Sequence, residues 1–155
     1  MTFRTFSQLG KEEAIIRHIA QNLSEQNRQE AELIYPSYPL TSLLMNQASH
    51  SKHGFVIYTK KGAPCGIGGI MDGGRIWFVV TENAKDELCT SWFKQGRAWL
   101  KERLTGYHRI DGYCWEKNTL SQNWMRFMGF DITTKDNAAT LTINGENFLY
   151  FMQTR

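Results

Sequence analysis

Long apolar runs are missing from this sequence. None approaches the ~20 residues a helix needs to cross a bilayer, and the N-terminal residues lack the apolar centre of a secretory signal. Neither a membrane partner nor export is therefore expected. Cysteine is scarce as well: Cys65, Cys89 and Cys114 are odd in number and form no CxxC pair. That excludes a disulfide framework and points to a reducing, intracellular setting. Charge of one sign is also in short supply. Eighteen Lys and Arg face fifteen Asp and Glu, a net charge of +3, and the longest basic run is Lys60-Lys61. A protein that tracks phosphates clusters its cations along one face, so no nucleic acid is expected. Repeats, low-complexity tracts and linkers are absent, and the only proline cluster is Pro36 with Pro39. The chain reads as one domain over 1–155, long enough to bury roughly two-thirds of its unfolded surface.

What is present is aromatic. Phe, Trp and Tyr make up 13% of the chain, with five Trp, and such rings fill a core at low entropic cost. The first third is helical by spacing. After a strand at 3–6, residues 11–23 set Ile15, Ile16, Ile19, Ala20 and Leu23 on one face. Ser24 can cap a second, polar helix over 25–35, and a third helix covers 41–48. The middle is strand: 55–59, a turn at 60–63, a Gly-rich strand at 64–71, a turn at 72–74, and the apolar run 75–81. Three consecutive antiparallel strands follow from this. A long amphipathic helix over 85–104 turns Leu88, Trp92, Trp99 and Leu100 inward. A strand at 107–115 comes next. Asn118 then caps a helix that carries Leu120, Trp124, Phe127 and Met128 on one face and ends at Gly129. Strands at 131–134, 139–143 and 147–152 close the chain, the last two joined by Asn144-Gly145, a strong hairpin signal.

The run Asn118-Thr-Leu-Ser-Gln-Asn-Trp-Met-Arg-Phe-Met-Gly129-Phe130, with Ser121 three residues after the Asn, resembles a segment of the GNAT (acyl-CoA N-acyltransferase) fold. The element order is similar too. The resemblance implies an α+β fold: a mixed, mostly antiparallel sheet of about six or seven strands with helices on both faces. More closely, Gly62-Ala-Pro64, Gly66 to Gly69, Ile76-Trp77, Thr81 and the helix over 93–100 look like the small GNAT-like family of tailed phages that includes an internal virion protein of T7-type phages. The GNAT resemblance implies that the central strand and the strand after the long helix splay apart and admit the pantetheine arm of acetyl-CoA as an added strand. On this chain the arm would meet Phe78, Val79, Val80 and Thr81 on one side and Tyr113, Cys114 and Trp115 on the other, with Asn118 reaching it from the helix cap.

Other features depart from an active transferase. The segment 81–90 should cradle a diphosphate with glycine N–H groups. It holds no glycine but carries Glu82, Asp86 and Glu87, opposed by Lys85 alone. The position of the family's tyrosine acid is Met125, which has no proton to give. Tyr107, Tyr113 and Tyr150 lie on nearby strands as substitutes, and Glu25, Glu30 and Glu32 on the second helix are base candidates or simply solvated charges. The catalytic residues are thus unknown from the sequence. Cys114 reads as a packed thiol. His50 and His53 lack a third ligand at metal spacing, so no metal is expected. Gly66-Ile-Gly-Gly69 falls inside a strand, which suits close backbone packing rather than a phosphate loop.

Three functions stay open. One is a phage protein with a degenerate acetyl-CoA site that serves in the virion, in assembly or in interaction. The others are an active acyl-CoA-dependent N-acetyltransferase on a small-molecule or protein amine, and an inhibitor that binds a host protein. Phage or host proteins and further copies of the chain are the candidate partners. The phage resemblance implies the cytoplasm of an infected bacterium or the phage particle as the location.

Overall fold

The computed structural model describes residues 2–84, 90–132 and 140–155. Four strands form an antiparallel meander: β1 (Thr2–Phe6), β2 (Ser51–Tyr58), β3 (Pro64–Met71) and β4 (Ile76–Val80), hydrogen-bonded in that order. The meander is longer than the sequence suggests, because β1 joins it and β2 starts at Ser51 rather than at 55. Three helices sit between β1 and β2: α1 (Glu13–Gln21), α2 (Glu25–Ile34) and α3 (Leu40–Ser49). After β4 the chain enters α4 (Thr90–Arg103), then β5 (Arg109–Trp115) and α5 (Thr119–Phe127). The last strands are β6 (Asp131–Ile132), β7 (Thr140–Ile143) and β8 (Glu146–Thr154), and β8 pairs antiparallel with β5, β6 and β7. The expected start of the long helix at 85–89, including Leu88, lies outside the described residues.

The strand period of two places successive side chains on opposite faces, and here both faces are covered. Phe55 and Ile57 join a core that contains Trp92, Trp99, Leu100 and Trp124 from α4 and α5. Val56, between them, joins Leu9, Ile16, Ile19 and Leu44 from the α1 and α3 side. A strand buried on both sides reads as a continuous apolar run, which is why 55–57 shows no alternation. All five Trp are buried, so the aromatic excess fills the core. Phe78, partly buried, packs against it, 5.4 Å from Trp92, 4.9 Å from Trp124 and 5.4 Å from Phe55 between ring centroids. The fold is α+β with helices on both faces, as expected. Its eight described strands fall into two four-stranded sheets rather than one continuous one.

The division between the sheets is the feature that positions a site. β4 and β5 run side by side and meet at one parallel bridge, Arg75 with Asp111. A continuous parallel ladder would carry evenly spaced bonds along the whole pair, and among the described residues none follows that bridge. The strands are pinned at one end and part toward Val80 and Trp115.

Candidate acyl-transfer site

Helix α2 lies across the opening between the parted strands. Its N-terminus is set by Ser24, whose hydroxyl accepts from Asn27 N–H at 3.3 Å as the sequence predicts. Asn27 and Glu30 are three residues apart and so share a helix face. The Val80 N–H of β4 donates to Asn27 Oδ1 at 3.0 Å, and the Trp115 N–H of β5 donates to Glu30 Oε1 at 2.7 Å. One helical turn therefore satisfies an edge group of each separated strand. Ser24 N–H also donates to the Val80 carbonyl at 2.9 Å, so both backbone groups of Val80 are occupied.

Glu30 is tied down further. Asn118 Nδ2 donates to its Oε2 at 2.7 Å, while Asn118 Oδ1 accepts from Ser121 N–H at 3.2 Å as the cap of α5. The Asn118 side chain is thus committed at both ends, to the helix cap and to Glu30. Burial holds the Glu30 carboxyl above the usual carboxylate range, against the lowering effect of the two hydrogen bonds it accepts from Trp115 and Asn118. Glu25 and Glu32, its companions on α2, are exposed, and Glu25 pairs with Arg28 on its own helix. The sequence ranked the three glutamates equally. Only contacts across the fold separate Glu30 from the other two.

Beside this network a cavity of about 330 Å³ runs between the strands, lined by Glu30, Ile76, Phe78, Val79, Tyr113, Cys114 and Met125 among others. That volume lies at the small end of ligand pockets. In a strand, alternate residues present their backbone to the same edge. Val80 bonds toward α2, so Phe78 presents its N–H and C=O to the same gap. Thr81 donates its N–H the other way, to the Cys65 carbonyl on β3 at 2.9 Å, and Val79 shares that β3-facing edge. Of the sequence-predicted cofactor contacts, Phe78, Val79 and Cys114 line the cavity, Val80 is covered by α2, Thr81 is buried, and Asn118 holds Glu30.

The remaining candidates fall in distinct places. Burial, followed by the nearby Glu30 charge, pushes the Cys114 thiol well above its ordinary range, which leaves it a packed thiol without nucleophilic character. Met125 lines the cavity. Tyr113 also lines it and is 37% exposed, with the Arg75 guanidinium 5.3 Å from its ring centre. Tyr150 donates to Asp111 Oδ2 at 2.5 Å, and its phenol is pushed up to about 12, first by burial and then by that bond. Tyr107 packs edge-on to His53 instead, with centroids 6.3 Å apart. Glu82, read as hostile to a diphosphate, accepts from Glu25 N–H at 3.0 Å and so serves the start of α2. Lys85, Asp86 and Glu87 lie outside the described residues. Gly66 to Gly69 belongs to β3, and a Cβ at Gly68 would come within 2.5 Å of the Trp77 carbonyl oxygen. Among the described residues no three His, Cys, Asp or Glu side chains group at metal distance.

No protein-family model matches the sequence, and no curated protein matches it. Solved structures do match in fold. A spermidine N-acetyltransferase variant from Vibrio cholerae superposes with a TM-score of 0.63 at 14% identity, over 99% of this chain and 95% of that one. A GNAT-family acetyltransferase from Bacillus anthracis gives 0.63 at 12%, over 98% and 93%. The aminoglycoside acetyltransferase AAC(6')-Ib, solved in complex with coenzyme A, gives 0.62 at 16%, over 99% and 95%. The fold is that of the GNAT acetyltransferases. At such identities the likeness is one of architecture, and none of these comparisons links the chain to the phage family that it resembles by motif.

Proposed function

We propose that the protein transfers an acyl group from a coenzyme A thioester to an amine, with Glu30 as the base. The observation that carries this reading is the half-buried Glu30 carboxylate at the wall of a cavity between two parted strands. A base must hold its proton weakly enough to give it up and strongly enough to take it, which favours a carboxyl raised toward the working pH. The acyl donor would lie along the free Phe78 edge of β4 and supplies an activated carbonyl with a thiolate leaving group. In the transfer the amine nitrogen bonds to the acyl carbon and the carbon–sulfur bond breaks. The proton lost from nitrogen passes to Glu30, and the departing sulfur takes its proton from solvent. Met125 supplies none, and the phenols of Tyr35 and Tyr113 line the same cavity.

A second reading has its own support. Asn27 and Ser24 cover both backbone groups of Val80, which shortens the edge that a pantetheine arm could use. That favours a non-catalytic protein that keeps the scaffold for binding, the role a phage virion or assembly protein would play. Isothermal titration separates the two. Under the transferase reading, acetyl-CoA binds and Glu30→Gln lowers turnover by about 10²–10⁴-fold without loss of that binding. Absence of heat and of thermal shift at millimolar acetyl-CoA would leave only the second.

A further inference from the structure

The cavity wall bears on which amine is accepted, an inference that rests on the transferase reading. Among the described residues that line it, Glu30 is the one acid and Arg75 the one base. Arg75 is already engaged, its Nε 3.2 Å from Asp111 Oδ1. The rest of the wall is largely apolar: Ile34, Leu40 and Leu43 from α2, α3 and their surroundings face Trp77 and Val79 from β4. Tyr35, Leu141 and Tyr113 line the cavity while being 46%, 40% and 37% exposed, so its mouth opens between the end of α2 and β7. The Tyr35 and Tyr38 rings stand together beside that mouth, with centroids 6.3 Å apart.

We infer that the acceptor is a small primary amine with a single positive charge and an apolar, aryl or branched-alkyl body, seated with its nitrogen toward Glu30. One carboxylate balances one ammonium. A second ammonium along this wall would lose its water with no further carboxylate among the described lining residues to receive it, and an unpaired buried charge is costly. A polycation such as spermidine or an aminoglycoside therefore fits this wall poorly, in contrast to the substrates after which two of the fold relatives are named.

The test is direct titration of the full chain with phenethylamine, spermidine and kanamycin, without acyl donor. Phenethylamine is expected to bind at least about tenfold tighter than either polycation, since only it leaves no charge unpaired. Equal or tighter binding of a polycation, or no binding of phenethylamine, overturns the inference. Leu141→Asp places a second carboxylate at the exposed rim, where the fold tolerates it. It is expected to narrow the preference about fivefold in favour of spermidine, and an unchanged preference would remove the assignment of the mouth. The transferase reading is tested apart by thiol release from acetyl-CoA. Phenethylamine that binds but releases no thiol keeps the ligand class and removes the transfer. Thiol release with spermidine alone does the reverse.

Discussion

Asn118 and Glu30 are 88 positions apart in sequence and joined by a 2.7 Å hydrogen bond at the gap between β4 and β5. The bond couples two things a reader of the sequence treats separately, a helix cap and a glutamate on a polar helix. Asn118→Ala is expected to remove both the cap of α5 and a donor to a buried carboxylate, at a cost of about 1–3 kcal/mol in urea unfolding. Asn118→Asp keeps the cap but sets a second carboxylate against Glu30. Its stability is expected to recover on acidification, which Asn118→Ala does not show.

Glu30 also sets a pH dependence. Its folded pKa is raised, so the folded state holds the proton more tightly than the unfolded chain. Its contribution is complete below the ordinary carboxylate range and is lost as pH rises through the folded value. Glu30→Gln removes that slope, so wild type and variant stability curves should converge at low pH and separate as pH rises. Under the transferase reading, activity runs the other way. The base form is the ionised one, and turnover should fall on acidification while the pH is still above the ordinary glutamate range.

The opposite end of the gap is held by Asp111, which accepts from Arg75 at 3.2 Å and Tyr150 at 2.5 Å and forms an ion pair with Arg109 at 3.2 Å. Asp111→Ala should cost about 1–3 kcal/mol by leaving these donors unpaired. Asp111→Asn keeps the volume but removes the charge that stabilises the Tyr150 phenol. Phenolate absorbance in a pH titration should then show Tyr150 ionising at lower pH than in the wild type.

Two glycines give a contrast that tests close packing. A Cβ at Gly68 would meet the Trp77 carbonyl oxygen at 2.5 Å and the Phe55 ring at 2.6 Å. Backbone cannot yield as a side chain can, so Gly68→Ala should cost about 2 kcal/mol or more. At Gly96 the near atom is the flexible end of Met128, at 2.5 Å. Gly96→Ala should be nearly neutral, because helix propensity gains up to about 1 kcal/mol while the methionine moves. Chemical denaturation of both variants measures the difference.

Local rules determined much of this protein from sequence alone. Ser24 and Asn118 cap their helices because a short polar side chain before a helix reaches the free N–H groups of its first turn, wherever that helix sits. The Asn144-Gly145 hairpin, the Gly-rich strand and the apolar run of β4 follow from residue type in the same way, and these elements in this order already matched the GNAT fold. Tertiary structure alone decided which glutamate reaches the parted strands, that Asn118 holds Glu30, that Glu82 serves α2, and that Asn27 covers Val80. Those are contacts between segments up to 88 residues apart. Spacing along a chain encodes which face a side chain takes on its own element, whereas the distance between elements is fixed only when the strands, pinned at Asp111, part toward Trp115 and α2 settles across the opening.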